Sequence, residues 1–196
     1  VEDEETAHQQ GDEAEDRQTL AFTVNALAVQ NLAYACNVLN AVLVHFSTPY
    51  VFDGTATVPY SETDLPNPIN VYGNSKLAGE YLVRSTCPRH FIIRTSALYG
   101  SLGTSGKGGN FVQTMLRLAN ANQSIRVVMD EFMSPTWTRD LACKTVELLN
   151  THAYGIYHIT NTGYCSWYEF SQRIFQLSGL HPNLQPTTTA EYATTA

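Results

Sequence analysis

Two short apolar runs on either side of a helical pattern restrict this chain to few folds. Ala41-Val-Leu-Val-His-Phe46 and His90-Phe-Ile-Ile-Arg-Thr95 are nearly unbroken hydrophobic strings with little polar alternation. That is how strands covered on both faces of a parallel sheet read. Between them Asn70 can cap a helix running from about 71 to 86. Strand, helix and strand at this separation require a right-handed crossover, and hence an α/β protein with an open, doubly wound parallel sheet.

The flanking segments fit such a sheet. Val24, Leu27, Ala28, Leu32, Ala35, Cys36 and Leu39 recur at helical spacing and predict an amphipathic helix over about 19–39. After the first strand come Pro49, Gly54, Pro59, Pro66 and Pro68, which exclude regular structure there. Beyond Ser96 the chain reads as a glycine-rich loop from Gly100 to Gly109, a helix from Asn110 to Ala121 and a short strand from Ile125 to Met129. A helix from Thr138 to Asn150, a strand from Gly155 to Ile159 and a helix opened by a Ser166/Glu169 capping box complete it.

Candidate chemistry centres on Tyr72-Gly-Asn-Ser-Lys76. Residues four apart share one helix face, so an ammonium stands beside a phenol. A free tyrosine has a pKa near ~10, and a neighbouring positive charge favours the phenolate and lowers that value toward the working range of a general acid. The same spacing also arises as an exposed amphipathic pair. Ser47-Thr48-Pro49-Tyr50 adds weight to the chemical reading, because it follows the carboxyl end of the first strand, where open α/β sheets bind ligands.

Read in order, the motifs are Val24-Asn25-Ala26, Ser47-Thr48 with Tyr50-Val-Phe-Asp-Gly54, Pro59-Tyr60-x-Glu62, and Pro68-x-x-x-Tyr72-Gly-x-Ser-Lys76-Leu-Ala-Gly-Glu80. Arg94-Thr-Ser96, Leu98-Tyr99-Gly100, Gly109-Asn110-Phe111, Ser134-Pro135-Thr136, Gly155-Ile-Tyr157-His158 and Ser166-Trp167-Tyr168-Glu169-Phe170 follow. From about Ala7 onward this string resembles the dTDP-4-dehydrorhamnose reductases, a branch of the extended short-chain dehydrogenases/reductases. The resemblance implies a partial Rossmann-type doubly wound sheet with a smaller α/β substrate-binding lobe. Residues 1–96 would form the C-terminal part of a dinucleotide-binding domain. Residues 97–196 would form an incomplete substrate-side lobe, with the 138–159 pair able to pack back on the main sheet.

It further implies NAD(P)H-dependent reduction of the C4 ketone of a nucleotide-linked deoxysugar, with NADPH or NADH as cofactor. The catalytic set would be Thr48, Tyr72 and Lys76: Tyr72 donates the proton, Lys76 lowers its pKa and holds the nicotinamide ribose, and Thr48 hydrogen-bonds the carbonyl. Ser47 and Asn25 would join Tyr72 and Lys76 on the cofactor side, Asn25 as support for the helix or for a proton-relay water. Thr48, Tyr50 and Asn110 would touch substrate. The partner is a nucleotide sugar in the cytoplasm, and a homodimer is open.

Members of that family begin with a strand and a Gly-x-x-Gly-x-x-Gly turn for the pyrophosphate, and run on to an Arg-Pro segment. This chain, from Val1 to Ala196, is therefore expected to be an internal piece, weak or inactive alone. Gly100-x-x-Gly103-x-x-Gly106 copies the glycine spacing but falls downstream of the Tyr/Lys pair, so it reads as a mobile lid. Three departures stand out: Pro49 removes a backbone donor beside Thr48, Ala97 replaces an aromatic, and Gln9 stands where a small hydroxyl residue follows the family's His. Two other readings remain: a sugar-nucleotide epimerase or dehydratase, although a dehydratase would carry an acidic pair after Thr48, and a non-catalytic protein similar to the regulatory subunit of methionine adenosyltransferase.

Composition narrows the classes. Eight of 18 acidic residues lie in the first sixteen positions, leaving a nearly neutral body without the basic patch that nucleic acid requires. That acidic opening reads as a solvated end. Cys36, Cys87, Cys143 and Cys165 form no Cys-x-x-Cys pair and read as reduced thiols, and the six histidines lack metal-ligand spacing. No apolar run reaches the ~18 residues of a membrane span.

Overall fold

The computed structural model describes residues 14–101 and 109–192. In chain order its elements begin with α1 (Gln18–Phe22), a π-helical turn (Thr23–Leu27), α2 (Ala28–Val38), β1 (Leu43–Ser47), α3 (Val71–Thr86), β2 (His90–Arg94) and β3 (Leu98–Tyr99). They continue with α4 (Phe111–Asn120), β4 (Ile125–Val128), β5 (Phe132–Met133), β6 (Thr136–Trp137), α5 (Thr138–Leu149), β7 (Gly155–His158), β8 (Cys165–Ser166), α6 (Trp167–Ser178) and β9 (Leu184–Thr187). Two compact units result, one holding residues 14–95 with Leu141–Ile159, the other residues 96–101 and 109–140 with residues 160–192.

The first unit is built on a parallel sheet of order β1-β2-β7, registered so that Ser47 lies beside Arg94 and Arg94 beside His158. On one face Ile92, Leu43 and Ile156 pack with Ala33, Val29 and Cys36 of the first helical rod and with Val83 of α3. On the other, Phe91, Ile93, Val42, Val44 and Tyr157 pack with Leu141 and Leu148 of α5. Helices thus cover both faces, which is why the two strand sequences read as nearly continuous apolar runs. The sheet is doubly wound, as the sequence predicts.

The start of α3 is closed as expected: Gly73 N–H donates to Asn70 Oδ1 at 2.7 Å. A second free amide, Val71 N–H, donates to Glu15 Oε1 at 2.5 Å. The acidic opening is described only from Ala14. There Glu15 is not a solvated charge but a helix-capping group, placed by the backbone donors at the positive end of α3.

The predicted helix over 19–39 forms, with two differences. It carries a π-helical turn at Thr23–Leu27, and its buried face is not the large-apolar stripe. Val24, Leu27, Leu32 and Leu39 are exposed, whereas Ala26 and Ala33 are buried. The reason is close approach. A methyl built on Gly79 would overlap the carbonyl oxygen of Asn25, so rod and α3 meet backbone to backbone through small residues. Periodicity reports that a helix exists, but the space available on its partner decides which face is buried.

The second unit has its own core of Met115, Leu118, Ile125, Val127, Trp167, Ile174 and Phe175. Here β4 and β9 pair in parallel, β3 and β6 likewise, and β5 and β8 run antiparallel. Ser166 and Glu169 form the predicted capping box, with Ser166 N–H donating to Glu169 Oε2 at 2.8 Å and Glu169 N–H to Ser166 Oγ at 3.1 Å. Among the described residues no helix is long and apolar enough to cross a membrane.

Gly79→Ala tests the backbone contact. In an ordinary helix interior this change stabilises by roughly 0.5–1 kcal/mol. Here the added methyl meets a carbonyl oxygen, so a loss of about 2 kcal/mol is expected from urea unfolding curves. A gain in stability would refute the packing of α3 on Asn25.

Candidate active site

Thr48, Tyr72 and Lys76 come together at the carboxyl end of β1. Thr48 caps a single 3₁₀ turn, Pro49–Val51, accepting the Tyr50 N–H on Oγ1 at 3.3 Å. Pro49 occupies the first position of that turn, where a missing N–H costs nothing and its fixed φ suits the geometry. The proline expected to remove a useful donor is thus accommodated by the turn. A Cβ on Gly73 would overlap the Tyr50 carbonyl oxygen, so the second residue of the Tyr-Gly-Asn-Ser-Lys motif is what lets the turn lie against α3. The Tyr50 and Tyr72 rings then meet edge to face at 5.9 Å and 74°. The Thr48 hydroxyl lies close enough to the Tyr72 phenol to bear on its pKa.

Burial raises the Tyr72 phenol above its ordinary pKa, and the nearby Thr48 hydroxyl only partly opposes this. The expectation that Lys76 lowers the Tyr72 pKa is therefore not met in this arrangement. Lys76 Nζ instead donates to the Phe46 carbonyl oxygen at 2.7 Å. Its own pKa is pushed down by burial, against which the Glu80 carboxylate one turn further along α3 acts.

Asn25 and Ser47 belong to the same unit, one step back. Asn25 Nδ2 donates to Ser75 Oγ at 3.0 Å, and Ser75 Oγ donates to the Tyr72 carbonyl oxygen at 2.8 Å, so Asn25 braces the turn carrying Tyr72. The Ser47 hydroxyl points inward and donates to Glu80 Oε1 at 2.5 Å. Asn110 lies in the other unit and caps α4: its Oδ1 accepts Gln113 N–H at 3.2 Å and its Nδ2 donates to Gly100 O at 2.7 Å. Ala97, also there, adopts a left-handed φ of 45° and packs on that unit's core. Gln9 and the lid glycines Gly103 and Gly106 lie outside the described residues.

The sequence assigned no role to the groups beneath the site. Glu80, 1% exposed, takes two parallel hydrogen bonds from Arg94, Nε to Oε1 at 2.9 Å and Nη2 to Oε2 at 2.7 Å. The Arg94 guanidinium stacks over Phe52 at 5.1 Å, and Nη1 lies 3.4 Å from His158 Nε2. His158 N–H donates to Glu62 Oε1 at 2.9 Å, which holds the Glu62 carboxyl below its usual range. Asp53 gathers the intervening loop, accepting from Thr55, from the Tyr60 hydroxyl at 2.7 Å and from Asn67 at 2.9 Å. The available signal was a charge inside an apolar string: Arg94 ends the second strand, and His45 interrupts the first. Among the described residues no cluster of His, Cys, Asp and Glu could hold a metal ion.

His45 is buried, and its pKa falls from 6.5 to about 4, first through burial and then through the Lys76 ammonium. Unfolded, it takes its proton near 6.5, so the stabilisation tied to the neutral ring is complete above that pH. It is lost as pH falls from 6.5 toward 4, by about 3 kcal/mol in all. Unfolding free energies at pH 7 and pH 4 should therefore differ less in His45→Gln than in the wild type by about that amount. Equal slopes would show that His45 titrates normally. Glu80→Gln leaves the Arg94 charge buried without its counter-ion and should cost about 3–5 kcal/mol at pH 7.

Comparison with known proteins places this fold in a family. The RmlD substrate binding domain family matches residues 4–196. The spore coat polysaccharide biosynthesis protein SpsK of Bacillus subtilis is 44% identical over 181 residues, covering 92% of this chain and 62% of that protein. The dTDP-4-dehydrorhamnose reductase of Salmonella typhimurium is 41% identical over 174 residues, covering 86% and 56%. The crystal structure of dTDP-4-dehydrorhamnose reductase from Bacillus anthracis in complex with NADP superimposes with a TM-score of 0.90 at 43% identity, over 94% of this chain and 64% of that one. The chain thus spans about six tenths of the length of the relatives it matches. With a doubly wound sheet, a Tyr/Lys pair at the strand ends and a match over residues 4–196, the chain belongs to the RmlD substrate binding domain family.

Proposed function

We propose that the protein carrying this chain reduces the C4 ketone of a nucleotide-linked deoxysugar, dTDP-4-dehydrorhamnose, to the alcohol dTDP-rhamnose, using NADPH or NADH. The observation that carries this reading is the convergence of Thr48, Tyr72 and Lys76 at the carboxyl end of a parallel strand, Thr48 capping the turn after β1 against which Tyr72 packs and Lys76 bonded to the Phe46 carbonyl one helical turn on. The relatives of matching sequence support it, since they include reductases of that name and a structure containing NADP.

The residues present fit a nicotinamide nucleotide. Lys76 spends one N–H on Phe46 and has two left to donate, and Thr95 Oγ1, at the end of β2, is buried without a protein partner. A reduced nicotinamide, when bound, supplies hydride; Lys76 with Tyr72 would hold its ribose, and Asn25 and Ser47 would support them. The protein's own task is the proton. As negative charge develops on the substrate oxygen, the Thr48 hydroxyl donates a hydrogen bond to it and Tyr72 transfers its proton. One O–H bond breaks on the phenol and one forms on the new alcohol. The Lys76 ammonium then stabilises the phenolate left behind. Burial that raises the Tyr72 pKa is compatible with this role, because it keeps the phenol in the donating form at neutral pH. Tyr50 borders the pair and would touch the sugar, and Asn110 is assigned to the substrate side. The four free cysteines suit a reducing, cytoplasmic setting.

Tyr72→Phe should lower the rate of NADPH oxidation with dTDP-4-dehydro-6-deoxy-L-mannose by about 10²–10⁴-fold while leaving cofactor affinity close to the wild type. Lys76→Met should lower both. A Tyr72→Phe protein retaining more than about a tenth of the rate would rule out Tyr72 as the proton donor.

A further inference from the structure

The mechanism leaves His158 unused. It ends β7, half-buried between the sheet and the loop that follows the Thr48 turn. Both of its ring nitrogens have protein partners, and those partners fix its state. Nε2 lies 3.4 Å from Arg94 Nη1, a group that can only donate, so Nε2 is the acceptor. Nδ1 lies 3.1 Å from the Tyr60 carbonyl oxygen, which can only accept, so Nδ1 carries the hydrogen. One species meets both demands, the neutral imidazole protonated on Nδ1. A second proton would go to Nε2 and set an N–H against the guanidinium, ending one contact and bringing two cations together.

These contacts hold the far end of the Thr48 turn. Phe52 closes the 3₁₀ turn that Thr48 opens, and its ring is buried in a box of three side chains. Tyr60 stacks on it at 4.2 Å and 7°, Arg94 lies over it at 5.1 Å, and His158 meets it edge-on at 5.8 Å and 75°. His158 thus forms one wall and binds the other two, Arg94 through Nε2 and the Tyr60 backbone through Nδ1, while its own N–H holds Glu62 of the same loop. The charged groups that act with the imidazole are Arg94 from β2, Glu80 from α3, and Glu62 and Asp64 from the loop. Burial, reinforced by Arg94, holds the ring below its ordinary pKa against Glu62, the Tyr60 carbonyl and Glu80.

We propose that His158 is a positioning residue for the Thr48 turn: neutral and protonated on Nδ1, it clamps Arg94 and Tyr60 around Phe52, and a proton on Nε2 releases the clamp. An apolar side chain here would leave Arg94 Nη1 and the Tyr60 oxygen without this partner, and a lysine would place a second cation beside Arg94. The proposal rests on the reading of Thr48 and Tyr50, which the turn carries, as groups that meet the substrate.

Nitrogen-15 NMR of the imidazoles and steady-state kinetics on the whole protein carrying this chain test it, with His158→Gln identifying the ring signal. At pH 7 the His158 ring should be the Nδ1–H tautomer; an Nε2–H tautomer or an imidazolium would overturn the proposal. On acidification the ring should titrate with a midpoint below 6.5, and the Phe52 and Glu62 amide signals should move with that same midpoint in the wild type. Amide signals that ignore the ring's titration would show that no clamp is released. In turnover, kcat for the nucleotide sugar should fall through that midpoint, and this limb should be missing from His158→Gln, whose amide oxygen can accept from Arg94 but cannot titrate. His158→Leu should lower kcat about tenfold at pH 7, the worth of one hydrogen bond, with KM for NADPH unchanged and most of the loss recovered in His158→Gln. A wild-type kcat in His158→Leu, or an unaltered acid limb in His158→Gln, would remove the positioning role. If the wild type reduces no nucleotide sugar, the reductase reading fails, and the tautomer with its linked amide shifts still decides whether the clamp exists.

Discussion

The site's geometry depends on one buried ion pair. Glu80 and Arg94 are 1% and 4% exposed, and each would be prohibitively expensive alone in that environment. Together they form a bidentate fork that also takes the Ser47 hydroxyl. Since Glu80 is on α3, Arg94 on β2 and Ser47 on β1, the three bonds fix the helix against two strands at their carboxyl ends. A merely apolar contact would permit sliding along the strand, whereas a bidentate fork does not. The register Ser47–Arg94–His158 extends this lock across the sheet to β7, where Glu62 closes the far side through the His158 amide.

What the lock positions is decided by two glycines. Gly73 and Gly79 are six residues apart on α3, and each gives way to a carbonyl oxygen, of Tyr50 and of Asn25 respectively. The first contact places Thr48 beside the Tyr72 hydroxyl. The second sets the rod under Ser75, and through it the backbone of Tyr72. Helix α3 therefore bears on the loop after β1 and on the π-helical turn through backbone contacts, which have no rotamers to relax. A proton donor, the role proposed for Tyr72, would need this kind of support, because small displacements at such a site are costly in rate.

Much of this was legible in the sequence, for identifiable reasons. Strand burial on both faces leaves unbroken apolar runs, and Asn70 and Ser166 announce helix starts through local chemistry, so those features read correctly. The Tyr72/Lys76 spacing is likewise local. The buried face of the first helix was not legible, because Val24, Leu27, Leu32 and Leu39 make a larger apolar stripe than Ala26 and Ala33, and only the bare Cα of Gly79, fifty-odd residues away, reverses the preference. Nor was the π-helical turn, since an extra residue in one turn barely disturbs the hydrophobic period. The Glu80–Arg94 pair escaped for a related reason: each charge is ordinary in its own segment, and only the tertiary contact makes both of them buried.

The electrostatics at the strand ends follow from this arrangement rather than from the Tyr/Lys spacing by itself. Glu80 and Arg94 cancel one another, and His45 is kept neutral by burial and by Lys76. In this pocket the Lys76 ammonium is therefore the charge left to act at the carboxyl end of β1, anchored by a backbone carbonyl that cannot be protonated away. The resting phenol feels burial more than it feels that charge and stays a donor. Were its proton to leave, as the proposed reaction requires, the balance would reverse: a buried phenolate is costly, and a fixed cation a single helical turn away would offset that cost. In the proposed reaction such a pair would favour the state after proton transfer more than the state before it, which is the condition for an interaction to accelerate a reaction.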